Sequence, residues 1–89
     1  MTNPTENPKD LTREEILEMS LKAREQEVMH YQINIDNYTI ALEEIDSLPP
    51  QERAEMSSFA TQLAELLASE KLEQKKAKIM LAVVKKQIQ

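Results

Sequence analysis

Glu27-Val28-Met29-His30 holds the only histidine of the chain, three residues after a glutamate. On a helix, Glu-x-x-His is the spacing that carries a carboxylate and an imidazole inward in ferritin-like di-iron bundles. A complete site of that kind needs a second copy of the motif and a further carboxylate from a facing helix, and Glu70 stands at about the right height. The phase opposes it: if Val28 lies in a helix–helix seam, Glu27 and His30 fall on opposite flanks. A surface Glu–His pair explains the spacing, so no metal and no cofactor are expected, and Glu27, His30 and Glu70 form the second reading.

The other routes to chemistry close quickly. One histidine and no cysteine leave no Ser/His/acid or Cys/His set, no thiolate metal site and no disulfide framework. Without glycine there is no loop to cradle a phosphate. The paired carboxylates Glu14–Glu15 and Glu43–Glu44 read as solvated helix faces, and a glycosidase would need a cleft around them. No enzymatic activity is expected. Lys75-Lys76-Ala77-Lys78, the apolar run from Ile79 to Val84, and Lys85-Lys86 form a basic amphipathic stretch suited to an anionic membrane or to nucleic acid. No aromatic residue interleaves it for stacking on bases. The preferred reading is the basic end of a bundle helix; membrane or nucleic-acid binding is the alternative.

The elements that would position these groups are set by Ser47-Leu48-Pro49-Pro50. Tandem prolines remove two backbone donors and disfavour helix in the residue before each. A break this short joins helices that fold back on one another. The expected organisation is a disordered tail over 1–10 and a helical unit over 11–89, with one helix over about 12–47, a turn at 48–50 and a second helix over about 51–88. Thr12-Arg13-Glu14-Glu15 is a capping box opening the first helix, with Leu11 and Ile16 spaced for a hydrophobic staple. From Leu17 the steps alternate between four and three: Leu21, Arg24, Val28, Tyr31, Ile35, Tyr38, Leu42, Ile45. This heptad seam holds one charged exception, Arg24. It runs unbroken through Ile33 to Ile40, which on propensity alone suits a strand.

The second helix reads Met56, Phe59, Leu63, Leu66, Glu70, Glu73, Ala77, Met80, Val84. Folding at the prolines sets residue i roughly opposite residue 98 − i. Leu42 then meets Met56, and Arg24 meets Glu73 and Gln74. A polar layer is expected in which Arg24 pairs with Glu73 or Glu70, since buried charges need partners. Its use would be to fix register.

Charge agrees with a folded-back pair. The net charge is −5, but residues 1–47 carry eleven acidic against four basic side chains, and five lysines without an acid follow Glu73. Antiparallel packing sets the basic end beside the acidic start, in accord with both helix dipoles. The polar N-terminus lacks the apolar core of a secretory signal, and the longest apolar run is far short of the ~20 residues of a membrane span. A cytoplasmic location is expected.

Apolar residues exceed what one seam needs. Met29, Ile33 and Ile40 lie off the first seam; Ala60, Leu67, Leu81 and Ile88 flank the second. A two-helix unit is also short of core. The fold expected is therefore all-α: an antiparallel, coiled-coil-like two-helix hairpin that dimerises into a four-helix bundle. Met29, Ile33, Ile40, Leu67, Leu81 and Ile88 are the expected partner-facing residues, and Met19 and Met29 suit an adaptable surface. In size and shape such a hairpin resembles secretion-needle subunits and their small chaperones, and phage-encoded accessory proteins and hairpin adaptors. The resemblance is architectural and implies no site residue. The expected function is non-enzymatic: to bind, inhibit or chaperone a protein.

Overall fold

The computed structural model describes residues 10–89. The expected tail over 1–10 lies outside them but for Asp10. Three helices follow in order, α1 Arg13–Asp46, α2 Pro50–Glu55 and α3 Ser57–Ile88, and no strand is found among the described residues. α1 and α3, of 34 and 32 residues, are each about 50 Å long and pack along one another.

α1 begins as its sequence demands. The Thr12 amide donates to Glu15 Oε1 at 2.9 Å, and the Glu15 amide donates to Thr12 Oγ1 at 3.1 Å. Two end amides that the helix cannot satisfy internally are thereby paired. The same bonds hold the Glu15 carboxyl below its ordinary value, the Thr12 backbone bond contributing most and its hydroxyl next. Leu11 and Ile16 both remain exposed.

Helix also persists through the segment of poor propensity. Ile35 is buried in the seam, Gln32 Nε2 donates to Asp36 Oδ1 at 2.9 Å, and Thr39 Oγ1 returns a bond to the Ile35 carbonyl at 2.8 Å. Tertiary burial outweighs deficits of a few tenths of a kcal/mol per residue, and the Thr39 bond satisfies its hydroxyl within the helix.

The connection is more elaborate than a proline corner. α1 closes on Ser47, whose amide and hydroxyl both donate to the Glu43 carbonyl, at 3.1 and 3.0 Å. Pro49 is extended and Pro50 takes the first position of α2, where its missing N–H costs nothing. Arg53 Nη1 then reaches back to the Asp46 carbonyl at 3.3 Å. This supplies a cation to the end of α1, whose last turn has no basic residue of its own. Met56 is the joint between α2 and α3, with φ −93° and ψ 5°. Helical bonds still cross it, from the Met56 amide to the Glu52 carbonyl at 3.1 Å and from the Ala60 amide to the Met56 carbonyl at 2.8 Å.

Two expectations about the seam are corrected here. The first is register. Gln74 meets Val28 and Gln32, Asn34 meets Glu70, and Arg13 meets Gln87. Partners descend along α3 as they rise along α1, but displaced by about one helical turn from the expected offset. The cause is the connection: Met56, expected against Leu42, is spent in the joint, and Leu42 shares a hollow with Ala60 instead.

The second correction is the phase of α3. Leu63, Ala77 and Val84 are buried as expected, but Met56, Phe59, Leu66 and Met80 are exposed. Ala60, Leu67, Gln74 and Leu81 turn inward in their place. Phe59-Ala60, Leu66-Leu67 and Met80-Leu81 are adjacent apolar pairs, so either member would serve. Glu73-Gln74 favours this phase, because the Gln74 amide is buried with two acceptors, Gln32 Oε1 and the Val28 carbonyl, while the Glu73 side chain stays 42% exposed.

Candidate interaction surface

Midway along the pair the seam turns polar. Gln74 is only 7% exposed, and its Nε2 donates to Gln32 Oε1 at 2.8 Å and to the Val28 carbonyl at 3.3 Å. Asn34 Nδ2 donates to Glu70 Oε1 at 3.2 Å. These bonds join α1 to α3 at a single axial offset.

The charges of the layer are wired differently from the expected Arg24–Glu73 or Arg24–Glu70 pair. Arg24 Nη1 bonds Glu27 Oε1 on its own helix at 3.1 Å, and Lys76 Nζ stands 3.0 Å from Glu73 Oε2. Arg24 and Glu73 line one hollow with Glu27, Tyr31 and Met80 without pairing. The turn-long shift in register accounts for this, since it brings Val28, not Arg24, opposite Gln74. Glu70 Oε2 and Glu73 Oε2 are buried without a hydrogen bond; the Lys76 approach to Glu73 is an ion-pair contact that is not aligned as one.

Glu27 and His30 part as their phase requires. Glu27 is half-buried on the Arg24 flank, while His30 is exposed with its ring edge toward Tyr31, centroids 6.2 Å apart. Among the described residues no cluster of three or more His, Cys, Asp or Glu side chains is placed to hold a metal.

The residues expected to face a partner divide. Met29, Ile33, Ile40 and Ile88 are exposed, whereas Leu67 and Leu81 are half-buried on the inner side of α3. Met19, Ile33 and Ile40 stand on the side of α1 farthest from the seam, and Met29 lies on its shoulder, lining a hollow with Val28, Gln74 and Leu81. Two further exposed apolar rows stand on α3, the first of them made of residues expected in the seam. One is Phe59, Leu66 and Met80, beside the seam; the other is Leu72, Ile79 and Val83, on the outer side. The seven-residue spacings 59–66 and 72–79 were the signal for them.

No helix among the described residues is long and apolar enough to cross a membrane. The chain matches no protein family, no curated protein and no solved structure.

Proposed function

We propose that this chain is a non-enzymatic interaction module. It is a helical hairpin that pairs with a second copy as a four-helix bundle and uses an outward stripe to bind, inhibit or chaperone a protein. The observation that carries the reading is the width of the apolar face of α3. Beyond the seam residues, Phe59, Leu66 and Met80 lie exposed along one flank. Three apolar positions per heptad suit a helix with two neighbours, and two suffice for a simple pair. The shallow core agrees, since no large side chain among the described residues falls below 2% exposure. Met29, Ile33 and Ile40 on α1 then remain as the docking stripe.

Sedimentation equilibrium tests the pairing. At low concentration and high salt the wild-type chain is expected at two copies, and Leu66→Glu, on the flank of α3, at one. A Leu66→Glu variant that keeps the wild-type mass would remove the flank as the pairing surface.

A further inference from the structure

The outer sides of α1 and α3 are the two narrow edges of the packed pair, and both are apolar where solvent reaches them. On α1 the edge carries Met19, Ile33 and Ile40; on α3 it carries Leu72, Ile79 and Val83. Ile33 is 51% exposed and Ile79 is 63% exposed. The charges around them are opposed. α1 has eight exposed carboxylates against the two exposed cations Arg13 and Lys22. α3 has six exposed lysines, from Lys71 to Lys86, against the exposed Glu65. The remaining acids of α3, Glu70 and Glu73, face the seam flank and are half-buried.

We infer that the α3 edge of one copy docks on the α1 edge of another, making a head-to-tail contact between copies of this chain. The inference rests on reading the α1 stripe as a docking face, and it names the occupant. Charge selects this arrangement over its symmetric alternatives. Joining α3 to α3 sets lysines against lysines, and joining α1 to α1 sets carboxylates against carboxylates; like charges brought together at an interface cost several kcal/mol. Joining α3 to α1 covers both apolar rows and opposes the charges. Such a contact uses two different surfaces, so the joined pair retains one free edge of each kind. Assembly therefore continues until a ring closes, or stays open-ended.

The test uses the purified full chain and two edge variants, Ile33→Lys and Ile79→Glu. Both positions are more than half exposed, and circular dichroism checks that the helices are kept. By sedimentation velocity, the wild type should grow beyond two copies as concentration rises, with association weakened about tenfold or more between low and high salt. Each variant alone should stop growing. Mixed in equal amounts they should form new, larger species, because the intact α3 edge of Ile33→Lys meets the intact α1 edge of Ile79→Glu: a closed pair if each variant is a single copy, renewed growth if each is a two-copy bundle. The inference is overturned if the wild type grows no further than the variants, or if growth is indifferent to salt. It is equally overturned if either variant assembles alone as the wild type does, or if mixing gives no new species. Whether the blocked variants settle at one copy or two reports separately on the flank around Leu66, so the two readings fail independently.

Discussion

The part of the α1–α3 pair next to the connection and its middle are held by different physics. Near the connection, Ile35, Ile45 and Leu63 are buried, with Tyr38, Leu42, Ala60 and Leu67 half-buried around them. In the middle, contact passes to Gln74, Gln32, Asn34 and Glu70, with Arg24, Glu27 and Glu73 on the flank. Apolar burial stabilises without choosing direction, so the first part tolerates a slide along the axis. Hydrogen bonds from Gln74 to Gln32 and Val28 form at one offset only. The part near the connection supplies cohesion, as Ala77 and Val84 do again toward the far end, and the middle supplies register.

The largest effect should come from cutting the cohesive part. Leu63→Ala, at a position 5% exposed, should cost about 2–4 kcal/mol in urea denaturation. A loss under about 1 kcal/mol would mean that Leu63 is not part of a packed core.

Gln74→Ala should cost less, about 1–2 kcal/mol, by removing a buried donor from Gln32 and the Val28 carbonyl. Its distinguishing effect is on alignment: spin labels near Asn34 and Glu70 should report a broadened distance distribution, which Leu63→Ala should not produce. An unbroadened distribution would take the registering role away from Gln74.

Arg24→Leu should change stability by under about 1 kcal/mol, because its pair with Glu27 is more than a third exposed on both sides. The added apolar side chain beside Met80 widens the flank, so a changed mass in sedimentation without unfolding is expected. An unchanged mass and an unchanged proteolysis pattern would show that Arg24 does not influence association.

The smallest effect belongs to the capping box. The folded-state value of Glu15 is lowered, so its contribution is complete above the ordinary carboxylate value and is lost as pH falls through the lowered one. Amide exchange over the first turn of α1 should accelerate in that acidic window, and Glu15→Gln should abolish the dependence. An equal acid response in Glu15→Gln would place its source elsewhere.

Much of this was legible in the chain because it depends on neighbours in sequence. The Thr12–Glu15 box, the break at Ser47 to Pro50 and the α1 seam from Leu17 to Ile45 need only capping chemistry, proline geometry and a heptad count. The pairing of Arg24 was not legible: it hangs on an axial offset, and the joint at Met56 moved that offset by about one helical turn. The outer row Leu72, Ile79, Val83 was hidden for a related reason, since the apolar run around it fits several faces at once.

Residue order therefore determined where α1 starts and stops, that helix resumes at the prolines, and that α1 turns one continuous stripe toward its neighbour; the break at Met56 between α2 and α3 was not read from it. Packing alone decided which member of Phe59-Ala60, Leu66-Leu67, Glu73-Gln74 and Met80-Leu81 faces inward. The reason is energetic and non-local. Either phase buries apolar side chains, but only one lays the Gln74 amide, not the Glu73 carboxylate, against the carbonyl of Val28.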